Sequence, residues 1–156
     1  MAHDHSAAAT LDRPAQIAAA EAACRDVGET LTPLRRQVFE LLLDHDGPAK
    51  AYDLLDHLKT EHGAAKPPTV YRALDFLVRL GLAHRIESQN AFVACDVGAC
   101  ARSTIFLLCE KCGASVEADA GHALSDVADA AQRVGFALRR TVLEATGLCA
   151  ACQASA

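Results

Sequence analysis

Two Cys-x-x-Cys pairs late in the 156-residue chain are the residues whose type and spacing best suit chemistry. Cys109 and Cys112 form one pair, Cys149 and Cys152 form the other, and 36 residues lie between the pairs. Two intervening residues let both sulfur atoms of a pair reach one ion, and four thiolates suit tetrahedral Zn²⁺. Because such a site has no open position for a substrate, the pattern predicts a structural zinc ion whose binding energy contributes to folding.

Thiol–disulfide chemistry is the competing interpretation of these cysteines. A redox Cys-x-x-Cys pair normally occurs singly, at the N-terminus of a helix that follows a strand, and two distant pairs fit that arrangement poorly. The chain has seven cysteines, an odd number that also fits poorly with a framework of paired disulfides. Structural zinc is therefore the favoured interpretation.

The composition indicates one ordinary domain or two small ones with an aliphatic core. Apolar residues make up 51% of the chain, whereas aromatic residues make up only 4%. The longest apolar runs are too short to span a bilayer, and no basic and then apolar leader opens the chain. We therefore expect a soluble, cytoplasmic protein without a membrane partner.

The first 95 residues predict four helices followed by a hairpin. Apolar residues recur at helical spacing, with prolines at several helix starts. The helical segments lie within 14–27, 33–47, 51–63 and 67–81. Two extended runs, 82–88 and 91–95, come next, with a tight turn at Gln89–Asn90 between them. This order of elements is typical of a winged helix-turn-helix domain.

The pattern changes after residue 95 to three extended runs and one helix. The runs cover 103–109, 114–118 and 135–145, and the helix covers 122–134. The aliphatic strand faces exceed what so short a segment can bury alone, so we expect dimerisation through a shared sheet. The predicted fold class is α+β, with a winged helix-turn-helix domain before a small α/β dimerisation domain that carries the structural zinc. The predicted divisions are a flexible tail (1–13), a DNA-binding domain (14–95), a hinge (96–103) and a dimerisation and metal-binding domain (104–156).

The polar face of the fourth helix predicts contact with double-stranded DNA. The chain carries a net charge of −5, but residues 66–85 contain four cations and one anion, and binding follows the patch that faces the partner. Arg72 is the expected guanine reader, because its guanidinium can address O6 and N7 together, and Tyr71 can pack on a thymine methyl or bond a phosphate. The expected backbone contacts are Lys66, Thr69, Arg35 and Arg36. An amphipathic helix with an ordinary solvated face is the alternative, and the hairpin and local charge favour DNA.

The segments "LTPLRRQVFELL" and "KPPTVYRALDFLVRLGLAHRIES", together with the cysteine pairs, resemble the ferric uptake regulator family. "KPPTVYRALDFL" and "GLCAAC" look most like its zinc uptake regulator branch. The resemblance covers about residues 15–153. It implies a homodimeric, metal-activated repressor that binds operator DNA through its N-terminal domain and represses zinc uptake genes when zinc is plentiful.

The resemblance also implies a second, regulatory zinc ion in each subunit, near the joint between the domains. Its motifs place three ligands at His84 in "LAHRIES", Cys95 after the second wing strand and Glu117 in "CGASVE". The family's fourth ligand is a histidine that "DVGACARSTIF" lacks, and Cys100 is the nearest competent replacement. The alternatives for that position are Asp96, Asp119, His122 and water.

Three rival functions are left open by the sequence. An iron or peroxide sensor of the same fold is disfavoured by two cysteines at the regulatory site, because thiolates suit Zn²⁺ better than Fe²⁺ or Mn²⁺. A hydrolase or thiol oxidoreductase is disfavoured because there is no His-Glu-x-x-His, no phosphate-binding glycine loop and no triad-like cluster. We therefore expect no enzymatic activity and no small-molecule substrate. A zinc-ribbon module for protein interaction is the third rival.

Overall fold

The computed structural model describes residues 12–45, 47–62, 66–95, 104–139 and 141–154. Its internal contacts divide the chain into two compact units, Met1–Cys100 and Ala101–Ala156. Helices and sheets occur in both, as the predicted α+β class requires. The predicted hinge and nearly all of the predicted tail lie outside the described residues. No helix in the described ranges is long and apolar enough to cross a membrane.

The first unit contains the four expected helices. They are α1 (Arg13–Asp26), α2 (Pro33–Asp44), α3 (Ala51–His62) and α4 (Pro67–Arg79). Asp12 caps α1 by accepting a hydrogen bond from the backbone N–H of Ala15 at 3.0 Å. Thr32 occupies the N-cap position of α2, but its side chain makes no capping hydrogen bond. Prolines occupy the first turn of α1, α2 and α4. They cost no helical hydrogen bond there, because a backbone N–H in the first turn has no acceptor within the helix.

The apolar face of α4 lies in the core of this unit. Val70, Leu74 and Leu77 are fully buried, and α4 contacts α2, α3 and the first strand of the hairpin. The opposite face is exposed and carries Tyr71, Arg72, Asp75 and Arg79. Burial of one face therefore determines which side chains α4 presents to solvent.

Strands β1 (Ala83–Ile86) and β2 (Ala91–Ala94) form the antiparallel hairpin after α4. The predicted two-residue turn at Gln89–Asn90 is wrong. Because the register pairs Ile86 with Ala91, four residues connect the strands, and a 3₁₀ turn over Glu87–Gln89 precedes Asn90. Asn90 has a positive φ of 49°, which asparagine tolerates better than most residues.

The second unit is a three-stranded sheet with two helices in its described part. Its elements are β3 (Thr104–Cys109), β4 (Ser115–Asp119), α5 (Ala123–Arg133), β5 (Leu143–Gly147) and α6 (Ala150–Gln153). The strand order is β4-β3-β5, with β3 antiparallel to β4 and parallel to β5. The parallel pair needs a long crossover, and α5 lies within it.

The strand predicted for 135–145 is too long at its N-terminal end. The register pairs Leu143 with Ile105 and Gly147 with Cys109. Residues well before Leu143 would therefore extend beyond the start of β3 at Thr104, where the described sheet offers no paired strand. The described residues between Gly135, whose φ of +70° ends α5, and Leu143 form no regular structure.

Replacing Leu74 by alanine should destabilise the first unit. Leu74 is completely buried in the core, so Leu74→Ala leaves a cavity and should lower the free energy of unfolding by about 2–5 kcal/mol. Urea unfolding followed by far-UV circular dichroism measures this loss. Asp75→Ala on the exposed face is the control and should change stability by at most about 0.5 kcal/mol. Equal losses in the two variants would contradict the assignment of the buried face.

Candidate metal centre and DNA-reading surface

The four cysteines of the two pairs converge on one place in the second unit. Cys109 ends β3 and Cys112 lies in the following turn, while Cys149 caps α6 and Cys152 lies within that helix. Parallel pairing of β3 with β5 brings the two strand ends together, and both pairs begin there. The four sulfur atoms lie within 4.8 Å of one another.

The spacing of the sulfur atoms fits a tetrahedral zinc site. The Sγ atoms of Cys112 and Cys149 are 3.8 Å apart. With Zn–S bonds of about 2.3 Å, two ligands of a regular tetrahedron are separated by about 3.8 Å. The donor set and this distance therefore fit a structural zinc ion.

A tight turn holds the first cysteine pair. The backbone N–H of Gly113 donates to the carbonyl of Cys109 at 2.9 Å, and the N–H of Cys109 donates to the carbonyl of Ala114 at 2.8 Å. Gly113 has a φ of +76°, a conformation that a residue with a Cβ rarely adopts. Glycine at this position therefore permits the turn that directs both thiols to one side.

The thiols of the cluster differ in acidity. The backbone N–H of Cys149 donates to the sulfur of Cys109 at 3.4 Å and, with the N–H of Cys112, lowers the pKa of Cys109 to about 6. Burial, followed by hydrogen bonding with the neighbouring thiols, raises the pKa of Cys152 to about 12. Cys109 thus ionises more readily than Cys152, and a cation bound among the four sulfur atoms would favour the thiolate form of both.

Two of the predicted regulatory ligands lie together in the first unit. His84 is half-buried on β1, opposite Val93 of β2. Cys95 is buried immediately after β2, and its backbone N–H donates to the carbonyl of Leu82 at 2.9 Å. The donor atoms of His84 and Cys95 are within 4.8 Å of each other.

The other predicted regulatory ligands are in the second unit or outside the described residues. Glu117 is exposed on β4, opposite Phe106. Cys100 and the alternative ligand Asp96 fall in the range 96–103, which is not described. Of the remaining alternatives, Asp119 ends β4 and accepts a hydrogen bond from the N–H of Gly121 at 2.9 Å. His122 is exposed at the N-cap of α5.

The predicted DNA contacts at the start of α4 are available to a partner. Lys66 at the N-cap position, Thr69, Tyr71 and Arg72 are all exposed. Arg36 is also exposed, but it forms ion pairs of 2.9 Å with both Glu21 and Glu40.

Arg35 is more firmly engaged within the protein than the other predicted contacts. Its guanidinium lies 3.5 Å from the centre of the Phe76 ring, and its Nη1 donates to the carbonyl of Thr30 at 2.8 Å. Arg35 and Arg36, predicted as backbone contacts, thus already have partners inside the first unit.

Comparison with known proteins gives the family of the chain. The sequence model of the ferric uptake regulator family matches residues 26–146. The chain belongs to the ferric uptake regulator family. This confirms the resemblance found in the sequence, including its branch, because the chain is 44% identical over 138 residues to the zinc uptake regulation protein of Escherichia coli (strain K12). That alignment covers 87% of this chain and 80% of the relative.

Solved structures of the family are similar over most of the chain. A zinc uptake regulator complexed with zinc and DNA is 41% identical, with a TM-score of 0.88 over 93% of this chain and 97% of that one. The crystal structure of holo XcZur is 42% identical, with a TM-score of 0.82 over 90% and 98% of the two chains. The predicted fold is therefore that of the ferric uptake regulator family.

Sequence reasoning missed a cluster in the winged-helix part of this family member. Glu29, between α1 and α2, forms ion pairs with Arg79 at 2.9 Å and with Arg35 at 3.7 Å. Both arginines also lie over the ring of Phe76. Glu29 and Arg79 are 50 positions apart, so no local spacing indicates that they meet.

Loss of one thiol should abolish the four-cysteine centre. Cys112→Ser is expected to remove one zinc ion per chain and to unfold the second unit, because structural zinc binding contributes on the order of 10 kcal/mol, comparable to the whole stability of a small domain. Metal analysis and far-UV circular dichroism measure the two effects. Cys24→Ala, which changes a cysteine buried in the core of the first unit, should keep its zinc. Full zinc content in Cys112→Ser would contradict the assignment.

Proposed function

We propose that this family member is a zinc-responsive transcriptional repressor, which binds operator DNA as a homodimer when zinc-loaded and represses zinc uptake genes. The observation that carries the proposal is the similarity, over 93% of the chain, to a zinc uptake regulator complexed with zinc and DNA. Such a regulator acts in the cytoplasm and has no enzymatic activity. Its function depends on two kinds of metal site and one DNA-reading helix.

The structural ion is assigned to the four-cysteine centre, Cys109, Cys112, Cys149 and Cys152. The convergence of four sulfur atoms within 4.8 Å supports this assignment. A bound zinc ion would stabilise four thiolates there and link the end of β3 to the end of β5. The centre thus contributes to folding of the second unit and has no position left for exchange with a substrate.

The regulatory ion is assigned to His84, Cys95, Cys100 and Glu117. The approach of the His84 and Cys95 donor atoms to within 4.8 Å supports the first two ligands. Glu117 enters the proposal through the family resemblance, and Cys100 enters it as the nearest competent ligand to the position where the family has a histidine. Two thiolates in this set favour Zn²⁺ over Fe²⁺ and Mn²⁺, which agrees with the name of the 44% identical relative from Escherichia coli.

DNA is read by the exposed N-terminal half of α4. Arg72 donates to a guanine, Tyr71 contacts a thymine methyl or a phosphate, and Lys66 and Thr69 contact the backbone. Their shared exposure at the start of one helix supports this assignment, because the N-terminal residues of a recognition helix reach base edges in the major groove. Arg36 can add a phosphate contact through Nη2, because its ion pairs with Glu21 and Glu40 use Nη1 and Nε.

A second copy of the chain covers the apolar surface of the second unit. Among the described residues of this unit, only Phe106, Leu108 and two of the metal-site cysteines are buried. Large apolar side chains are exposed, with Val134 at 78% and Phe136 at 66%. The others are Leu107, Leu138, Val142 and Leu148. Exposed apolar surface of this kind supports an interface between protein chains.

The regulatory ligands couple zinc to DNA because they come from the wing, the predicted hinge and the dimerisation sheet. When they hold one ion, the two recognition helices of the dimer are fixed at the angle that fits the operator. Without the ion, only a minor fraction of the dimers has the arrangement that fits the operator, and the apparent affinity for operator DNA falls in proportion to that fraction. Couplings of this kind are typically about 1–3 kcal/mol, and DNA must tighten zinc binding by the same factor.

Zinc dependence of DNA binding tests the function, and Cys95→Ser tests the regulatory site. The probe is a duplex selected from a randomised pool by the zinc-loaded wild-type protein, in gel shifts with and without a chelator. Wild type should bind more tightly with zinc. Cys95→Ser should stay folded, hold one zinc ion per chain instead of two, and lose the zinc response.

Two outcomes would contradict these assignments separately. Equal binding of the wild type with and without zinc would overturn the proposed function. A retained zinc response in Cys95→Ser would remove that residue from the regulatory site while leaving the function intact. Metal analysis of the wild type distinguishes zinc from iron, and Cys24→Ala is the control for loss of a cysteine elsewhere in the first unit.

Arg72→Ala should weaken operator binding by about 1–3 kcal/mol and relax the base preference at one position, since a bidentate contact to guanine is lost. Fluorescence anisotropy with the selected duplex and its single-base variants measures both effects. Arg25→Ala is the matched control, because Arg25 is an exposed arginine in the last turn of α1. If both variants bind like the wild type, another residue reads the base.

A further inference from the structure

Four side chains join the start of α2 to the last turn of α4. This group, the Glu29 cluster, consists of Glu29, Arg35, Phe76 and Arg79. Arg35 lies in the first turn of α2, whereas Phe76 and Arg79 lie in the last turn of α4. Phe76 is buried, and both guanidinium groups lie over its ring, at 3.5 Å for Arg35 and 5.4 Å for Arg79.

The carboxylate of Glu29 holds the two arginines of this cluster together. Its Oε1 accepts a hydrogen bond from Nη2 of Arg79 at 2.9 Å, and its Oε2 lies 3.7 Å from Nη1 of Arg35. Two guanidinium groups over one ring repel each other, and an anion close to both offsets that repulsion. The negative charge of Glu29 therefore stabilises the arrangement of both arginines.

Arg35 is fixed by three groups of its own domain. It stacks on Phe76, donates to the carbonyl of Thr30 at 2.8 Å and lies beside Glu29. Only 29% of its side chain is exposed. A phosphate contact through Nη1 would compete with the hydrogen bond to Thr30 and the ion pair with Glu29. An arginine that only packs within the domain keeps both.

We propose, on the basis of the function proposed above, that Glu29 is a positioning residue for DNA recognition and that Arg35 acts through the Glu29 cluster instead of contacting a phosphate. Phe76 lies one helical turn after Arg72, the expected base reader. A rotation of α4 by about 10° about its axis would move a side chain at the helix surface by about 1 Å, which exceeds the tolerance of about 0.5 Å for a recognition site. The cluster resists that rotation from one side of the helix.

A phosphate contact and a positioning contact have different signatures in DNA binding. Loss of a phosphate contact weakens binding to every duplex and lowers the slope of log K against log salt by about 1. Loss of a positioning contact weakens only the selected sequence, because the charges that face the backbone are unchanged. Binding to two duplexes over a range of salt concentrations therefore separates the two roles.

Two variants disrupt the cluster in different ways. Glu29→Gln removes the charge and turns an amide N–H₂, a donor, toward one of the arginines. Arg35→Lys keeps a positive charge that could contact a phosphate, but lacks the planar guanidinium that stacks on Phe76 while it donates to Thr30. Asp44→Asn is the matched control, because it removes the same charge from a 2.9 Å ion pair with Arg13, outside the cluster.

The zinc-loaded full-length variants are measured against two probes, the duplex selected by the wild type and a scrambled duplex of the same length and composition. Glu29→Gln and Arg35→Lys should each bind the selected duplex about tenfold more weakly, within the range for loss of a base contact. Their affinity for the scrambled duplex and their salt slopes should equal those of the wild type. The double variant should be no weaker than either single one, because both act on one cluster.

Circular dichroism should give the same spectrum for all variants, since exposed ion pairs contribute little to stability. Wild-type binding by Arg35→Lys would overturn the proposal, as would tighter binding of both duplexes by Glu29→Gln. An effect of Asp44→Asn equal to that of Glu29→Gln would also overturn it. Failure of the proposed function is a separate result. If the wild type binds DNA without responding to zinc, its ratio of affinities for the selected and the scrambled duplex can still be compared with that of Glu29→Gln. Selection of no duplex at all would overturn both.

Discussion

The first unit depends on the burial of one face of α4. Val70, Leu74 and Leu77 occupy the core, where they meet α2, α3 and the hairpin. Because side chains are fixed at regular angles around a helix, burial of this face also places Tyr71 and Arg72 on the exposed face. The residues that stabilise the unit and the residues proposed to read DNA thus lie on opposite faces of the same helix.

The second unit is built on a different principle. Its described residues bury few large apolar side chains, and α5 has no fully buried residue. A core this small supplies little hydrophobic stabilisation. The convergent cysteines and the exposed apolar surface are the features on which the proposed structural zinc ion and the proposed homodimer rest.

Much of the fold and the metal centre could be predicted because the signals are local. Apolar residues at helical spacing mark the four helices of the first unit, and two Cys-x-x-Cys pairs mark the metal centre without any knowledge of the sheet. The start of β5 at Leu143 could not be predicted, because it depends on where β3 begins, in a distant part of the sequence. The same is true of Glu29 and Arg79, which meet only after α2 and α4 have packed.

The parallel pairing of β3 with β5 has a consequence for the order in which the second unit assembles. The β3–β4 hairpin closes over a short turn, and that turn holds Cys109 and Cys112. Strand β5 reaches β3 only after a long crossover, so Cys149 and Cys152 arrive late. Contacts between distant segments form slowly because chain entropy opposes them. The four-cysteine centre is therefore complete only once the last segment of the chain has paired with a strand synthesised some forty residues earlier.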